Sequence, residues 1–200
     1  LARRNQKIDS WEDLPEVTEK EIDKLTNDYR AVNRMYAMSN ALSISIFPHR
    51  NYQANLITDL QPVQSNIVEL DVSGLPLRPE EFEWIGKCKS LKRLDLDNTP
   101  IEDDQVDFFA NIKSLEHLKL HNTAISDRSV STLGSLKQLR NLYLWNTDIT
   151  PQGIAELRTL SPEVYIDQGI NIGDFVAQAD SLEVGADKPA GTSGGGDSRQ

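Results

Sequence analysis

The sequence predicts a right-handed α/β solenoid, a fold in which one strand-turn-helix unit is repeated and stacked. Three observations predict it. The stretch 91–114 recurs with small changes over 115–138 and again over 139–162. Each copy begins with leucines that alternate with polar residues, as in a strand with one buried side. The second half of each copy carries apolar residues at the spacing of one helix face.

Each copy opens with the pattern LxxLxLxNTxI, and equivalent positions lie 24 residues apart. The first leucine of each copy shows the spacing: Leu91, Leu115 and Leu139. One period earlier, Ile67, Leu70 and Val72 take the leucine positions, while Gly74 replaces the asparagine. This pattern at this period is that of a leucine-rich repeat. We therefore predict four clear repeats with degenerate N- and C-terminal caps.

Asparagines follow the strand in three copies, at Asn98, Asn122 and Asn146. We expect their side chains to bond free backbone groups at the turn and to form a ladder, which Gly74 interrupts at one end. Helices follow, with Ser126 and Thr150 at N-cap positions and Pro79 and Pro151 at first helical positions. Their apolar face holds Val106, Phe109, Ile112, Val130, Leu133, Leu136, Ile154, Leu157 and Leu160. Cys88 takes the equivalent inward position in the first copy and is expected to be a core thiol.

We predict four segments along the chain. They are a flexible segment 1–11, an N-terminal cap 12–66, the repeats with their closing strand 67–171, and a disordered tail 172–200. In the cap, Thr18 and Glu21 form the pattern of a helix capping box. The apolar positions Ile22, Leu25, Tyr29 and Val32 continue one face. The stretch 42–47 alternates as a strand, 52–57 is interpreted as another, and 164–171 as the closing strand.

The net charge of -10 argues against nucleic acid and an anionic membrane surface as partners. The longest apolar run, 41–47, is too short to insert across a bilayer. A single cysteine allows no internal disulfide. Because the chain begins at Leu1, we interpret it as a piece of a longer protein or a mature form.

Outward positions between the inward leucines form three ladders across neighbouring strands. The first holds Glu69, Arg93, His117 and Asn141; the second Asp71, Asp95, Lys119 and Tyr143; the third Ser73, Asp97, His121 and Trp145. We predict that a protein partner contacts the nine ladder residues from Arg93 onward, with Tyr143 and Trp145 as the strongest candidates. The alternative is that Trp145 packs under the C-terminal cap.

The sequence predicts no metal site and no catalytic residue. His117 and His121 lie four residues apart on one strand, about 13 Å, and cannot share one ion. Asp97 with His121 would supply only two ligands. No nucleophile, zinc or phosphate-loop motif occurs, and the acids at 102–104 favour a helix N-terminus without catalysis.

The chain resembles one bacterial family over residues 11–170. The resemblance is carried by "WEDLPEVTEKEIDKL", "LDLDNTPIEDDQV", "LKLHNTAISDRSV", "LYLWNTDITPQGIAEL" and "SPEVYIDQG". The family comprises membrane-anchored proteins of Bacteroidetes and Planctomycetes with a planctomycete-type c-type cytochrome region before the repeats. The resemblance implies an extracytoplasmic repeat domain, tethered to the membrane by an upstream part of the parent protein. It implies haem only upstream, because this chain has no CxxCH motif.

Two functions are therefore expected. The first is a non-catalytic recognition module, without a cofactor in this segment, that binds a protein (or alternatively a glycan) through its concave strand face. The second is a structural spacer or assembly domain of a membrane-anchored, cytochrome c-like protein.

Overall fold

One seven-stranded sheet runs through the part of the chain that the structure describes. The computed structural model describes residues 13–50, 52–53 and 55–169, so the predicted flexible segment 1–11 and tail 172–200 lie outside it. The strands follow chain order: β1 Arg30–Arg34, β2 Leu42–Ile46, β3 Ile67–Asp71, β4 Arg93–Asp95, β5 His117–Lys119, β6 Asn141–Tyr143 and β7 Tyr165–Asp167. β1 pairs antiparallel with β2, and every later pair is parallel.

Residues that lie 24 positions apart in the sequence pair with each other in the sheet, as predicted. Leu94 lies beside Leu118 and Leu118 beside Leu142 in successive parallel pairs. All three are at most 1% exposed, because the strand alternation turns them into the core. Each strand is only three residues long from β4 onward, so burial comes from stacking the repeats and not from any one unit.

Short helices form the second half of each repeat. They are α3 Pro79–Ile85, α4 Asp103–Val106, α5 Val130–Gly134 and α6 Pro151–Leu160. A 3₁₀ turn, Asp107–Asn111, extends α4, and another, Asp127–Ser129, precedes α5. Ser126 caps that turn and Thr150 caps α6, while prolines open α3 and α6, all as predicted.

Leu160 departs from the predicted inward face. It is 44% exposed, whereas its equivalents Ile112 and Leu136 are at most 4% exposed. α6 is the last described helix, and within the described residues no further repeat covers its outer side. Leu160 instead packs against Gly134, where an added Cβ would lie 2.7 Å from its Cδ1.

The turn after each strand uses a left-handed backbone. Asn98, Asn122 and Asn146 have φ of 58°, 52° and 55°, and Gly74 has φ of 72°. Asparagine tolerates this region better than other residues with a side chain, and glycine reaches it without strain. The asparagines also form the expected ladder, but by bonding each other: Asn122 Nδ2 donates to Asn98 Oδ1 at 2.9 Å, and Asn146 Nδ2 to Asn122 Oδ1 at 2.6 Å.

The N-terminal cap confirms the predicted helix start and corrects two other predictions. Helix α1, Glu19–Leu25, begins at Thr18 with the expected capping box to Glu21. The helical face predicted to continue to Val32 is wrong, because the helix ends at Leu25 and Val32 lies in β1. The predicted strand 52–57 is also wrong. Its apolar end belongs to α2, Asn55–Thr58, which is followed by the 3₁₀ turn Gln61–Asn66.

The predicted strand at 42–47 is confirmed as β2. Leu42, Ile44 and Ile46 are at most 2% exposed and join the same core as the repeats. The closing strand is confirmed as the shorter β7, while residues 170 and 171 of the predicted stretch lie outside the described residues. No described helix has the length and apolar character needed to cross a membrane.

Candidate functional site

The sheet side opposite the buried leucines is called here the ladder face. It consists of the outward residues of β3 to β7 and of the turns that follow them. The register places Glu69, Arg93, His117, Asn141 and Tyr165 in the first ladder, and Asp71, Asp95, Lys119, Tyr143 and Asp167 in the second. The third ladder continues through backbone bonds at the turns, such as Asn122 N to Trp145 O at 3.0 Å. The structure therefore brings all nine predicted contact residues to one side of the sheet.

Charged ladder residues pair across adjacent repeats. Lys119 Nζ donates to Asp95 Oδ2 at 2.7 Å, and Arg93 Nε lies 3.6 Å from Glu69 Oε1. Asp97 Oδ1 accepts from the His121 backbone N at 2.9 Å. These contacts join one repeat to the next, so they first of all stabilise the stack.

The Asp95–Lys119 pair is the most buried of these contacts. Burial raises the pKa of Asp95, although the hydrogen bond from Lys119 opposes that rise. The same hydrogen bond raises the pKa of Lys119, against the smaller effect of its own burial. Asp95 Oδ1 is buried and has no hydrogen-bond partner among the described residues. The hydrogen bond to the Asp95 carboxylate therefore fixes the Lys119 side chain. Because this side chain is already paired within the fold, Lys119 is a poor candidate for a residue that moves to contact a partner.

The two histidines of β5 and its turn occupy different ladders. Burial, and to a smaller extent nearby Arg93, lowers the pKa of His117, which favours its neutral form. His121 Nδ1 lies 3.6 Å from Asp97 Oδ2. Among the residues that the structure describes, no three His, Cys, Asp or Glu side chains are grouped so that they could hold a metal ion.

Aromatic rings gather at the C-terminal end of the ladder face. The term aromatic cluster is used here for His121, Tyr143, Trp145 and Tyr165. The His121 ring centroid lies 5.7 Å from that of Tyr143 and 6.1 Å from that of Trp145, and Tyr143 lies 6.5 Å from Tyr165, all edge to face. Such geometry suits the ring quadrupoles and fixes the side chains relative to each other.

Trp145 packs against the closing segment, as the second interpretation of the sequence expected, and keeps part of its surface exposed. Its indole lies against Gly169, where an added Cβ would come within 2.0 Å of the ring atom Cδ1. The closing segment therefore packs directly on this ring, and the positive φ of Gly169, 72°, also favours glycine there. Yet 48% of Trp145 remains exposed. The closing segment supports the indole and leaves about half of it available.

Tyr165 and Asp167 belong to the site and were missed by the sequence reasoning. Tyr165 is 59% exposed and lies beside Asn141, and Asp167 lies beside Tyr143. The signal was present, because adding one 24-residue period to 141 and 143 gives 165 and 167. The closing strand was predicted, but the three ladders were not continued onto it.

Cys88 lies inside the protein and away from the ladder face. It is 0% exposed, and burial raises its pKa to about 12. The thiol is thus protonated near neutral pH and packs as a small apolar group.

Known proteins share the repeat pattern with this chain. The leucine rich repeat family model matches residues 89–149, the part that holds β4 to β6. The described chain is a leucine-rich repeat solenoid. The predicted fold class is thereby confirmed.

Comparisons with solved structures and with curated proteins show less about this chain than the family model does. Among the 32 solved chains that match, one is a leucine-rich repeat protein of Leptospira interrogans, 23% identical, with a TM-score of 0.45. That match covers 62% of this chain and 30% of the Leptospira chain, so this chain spans less than a third of its length. No curated protein matches the sequence at a significant level.

Proposed function

We propose that this leucine-rich repeat domain is a non-catalytic recognition module that binds a protein partner through its concave strand face, the ladder face. One observation carries the proposal. Trp145 and Tyr165 are 48% and 59% exposed, and edge-to-face contacts through His121 and Tyr143 link them. Large aromatic side chains that are rigid before binding lose little conformational entropy on contact, and they dominate many protein interfaces. Leucine-rich repeat folds commonly serve protein binding, which supports the same conclusion at a coarser level.

The charged ladders contribute differently from the aromatic cluster. Asp95, Lys119 and Asp97 already have partners within the fold, so a ligand would gain little by contacting them. Arg93 is half exposed beside Glu69 and is freer to meet a partner. We therefore assign most of the binding free energy to the aromatic cluster. The charges around the cluster are assigned the role of orienting the protein partner.

The double variant Tyr143→Ala/Trp145→Ala tests this assignment. The immobilised 200-residue chain would capture proteins from an extract of its source cells, and the captured partner would be purified for titration. We expect a saturable complex whose affinity falls by about thirtyfold or more in the double variant, because two aromatic contacts are lost.

The matched control is Glu156→Ala/Arg158→Ala, at two exposed positions of α6 on the other side of the sheet. It should bind as the wild type does. Unfolding curves of all three proteins separate lost contact from lost folding, since Trp145 also supports Gly169. Wild-type affinity in a folded double variant would remove the aromatic cluster from the interface.

A spacer or assembly role in a membrane-anchored, cytochrome c-like protein outside the cytoplasm is the second proposal. It is favoured by ladder charges that bond from repeat to repeat and so serve the stack itself. The residues present do not fit covalent haem attachment, because the single cysteine is buried and CxxCH is absent. The visible absorption spectrum of the natural full-length protein tests this role. Sharp c-type bands would support it, and their absence would contradict it.

A further inference from the structure

Asp167 is an acidic residue of β7 whose position in the sheet adjoins residues of the aromatic cluster. In the β6–β7 pair it lies directly beside Tyr143, and Tyr165 precedes it by two residues on the same side of β7. Neighbouring strands are about 4.8 Å apart, so the side chains of Asp167 and Tyr143 leave the backbone at adjacent positions. Its Oδ1 accepts the backbone N–H of Gly169 at 2.8 Å. Gly169 in turn lies against the Trp145 indole, which ties the carboxylate and the indole to one short turn.

Asp167 differs from the other acids of the ladder face in its partners. Glu69, Asp95 and Asp97 each have a basic side chain of the neighbouring repeat within 4.0 Å. Among the described residues Asp167 has no basic side chain within that distance, and its carboxylate accepts instead from a backbone N–H. Asp71 likewise accepts from a backbone N–H, that of Ser73, but its neighbours in the sheet are Ser45 and Asp95.

The ladder face as a whole carries an excess of negative charge. Its acids are Glu69, Asp71, Asp95, Asp97 and Asp167, and its permanently charged bases are Arg93 and Lys119. Five carboxylates against two cations leave three negative charges, in a chain whose net charge is -10. A positively charged group is therefore the complementary ligand for this end of the face.

We infer that the Asp167 carboxylate and the rings of Tyr143, Trp145 and Tyr165 form a site for an arginine side chain of the protein partner. The inference rests on the proposed recognition function and names the chemistry of the contact. A guanidinium is planar and stacks on an indole or phenol, and its edge donates two hydrogen bonds to one carboxylate. A lysine side chain would neutralise the carboxylate charge, but its ammonium group would stack poorly on the rings. A neutral sugar would stack without compensating the carboxylate.

Titration with short peptides tests the site directly. The probe is the blocked peptide Gly-Arg-Gly-Arg-Gly, followed in ¹H–¹⁵N spectra of the full chain through the Trp145 indole N–H and the Gly169 amide. We expect saturable shifts at both signals. The same peptide with citrulline, which keeps the shape but not the charge, should bind about tenfold more weakly or worse, and the lysine peptide should fall between them.

Two variants with the same change in net charge separate the carboxylate from general electrostatics. Asp167→Asn should weaken arginine-peptide binding by about tenfold. Asp148→Asn, at an exposed turn position, should leave it unchanged. Equal binding of the citrulline peptide, or an unaffected Asp167→Asn variant, would overturn the inference. So would saturable binding of a neutral oligosaccharide at these signals without binding of the arginine peptide.

The inference and the proposed function fail in different ways. If the captured partner is lost with Tyr143→Ala/Trp145→Ala but binds Asp167→Asn normally, the recognition face stands and the arginine site is wrong. If the arginine peptide binds as described but no protein is captured, the site stands and the protein-binding proposal loses its support.

Discussion

In two of the four repeats, a carboxylate at the start of the helical half bonds the next repeat. Asp103 accepts from Ser126 N at 2.8 Å and from Ser126 Oγ at 2.7 Å. One period later, Asp127 accepts from Thr150 N at 2.8 Å and Thr150 Oγ1 at 2.7 Å. The acids at 102–104 were interpreted from the sequence only as favouring a helix N-terminus. The structure adds that Asp103 holds the N-cap residue of its neighbour in place.

Asp103 gives the fold an acid-dependent component. Burial alone would raise its pKa, but hydrogen bonds from Ser129 and Ser126 outweigh it, and the pKa lies below the usual value. A carboxyl group with a lowered folded-state pKa adds stability above its unfolded value, near 4, and that stability is lost as the pH falls through the folded value. We expect the unfolding free energy of the wild type to fall more steeply below about pH 4 than that of Asp103→Asn.

Urea unfolding of both proteins at pH 7 and pH 3 measures the difference. Asp148→Asn serves as the control, because its exposed side chain makes none of these bonds, and it should keep the wild-type pH dependence. An Asp103→Asn variant with the full wild-type loss on acidification would show that this carboxylate does not carry the effect.

Individual site residues could be predicted only where the repeat makes them periodic. Arg93, Lys119 and Tyr143 were placed correctly on the ladder face because each occupies a fixed offset from a leucine. Packing of Trp145 under the C-terminal cap was one sequence interpretation, but its contact with Gly169 does not follow from the period, since it depends on how the chain turns after β7. The pairing of Lys119 with Asp95 also needs side-chain geometry, which a register alone does not supply.

At the scale of elements, the turn after each strand depends on asparagine for two separate reasons. Asn122 adopts φ of 52° and also donates to Asn98 and accepts from Asn146. Alanine would lose both hydrogen bonds and strain the left-handed backbone, whereas glycine would lose only the hydrogen bonds.

Two substitutions at this turn separate the two contributions. We expect Asn122→Ala to lower the unfolding free energy by about 2–3 kcal/mol and Asn122→Gly by about 1 kcal/mol. Urea denaturation at constant m-value would show the difference. Equal losses in the two variants would mean that the backbone conformation adds nothing to the cost.

The repeated elements were predicted most completely, whereas in the cap only the start of α1 and the strand β2 were predicted correctly. β4, β5 and β6 follow directly from the leucine alternation, and four copies reinforce one pattern. The cap occurs once, and its short apolar runs fit more than one period. Tyr29 and Val32 continue a helical spacing from Ile22, yet in β1 Val32 is buried between the less buried Ala31 and Asn33. Pairing with β2 decides the outcome, because both strands then bury one side in the core.

At the scale of the whole molecule, a stack of repeats is stabilised mainly between neighbours. Arg30, at the N-terminal edge of the sheet, is an example. It is 2% exposed, and its guanidinium donates to Leu25 O at 2.5 Å and to Leu56 O at 2.6 Å. These bonds join α1, β1 and α2. Burial lowers the pKa of Arg30, and the negative charge of nearby Asp59 partly offsets this lowering. The guanidinium nevertheless stays charged at neutral pH.

The last prediction follows from that position. Arg30→Met keeps much of the side-chain volume but leaves the Leu25 and Leu56 carbonyls without their partner, and we expect it to lower the stability of the cap by about 3 kcal/mol. In a stack with nearest-neighbour coupling, the loss should stay local. Native-state amide hydrogen exchange would then speed up by about a hundredfold in β1 and β2, while β5 and β6 change little. Arg158→Ala, exposed on α6, is the control and should change neither group. Equal acceleration in all four strands would mean that the cap and the repeats unfold as one cooperative unit, and that coupling reaches from the N-terminal edge to the aromatic cluster.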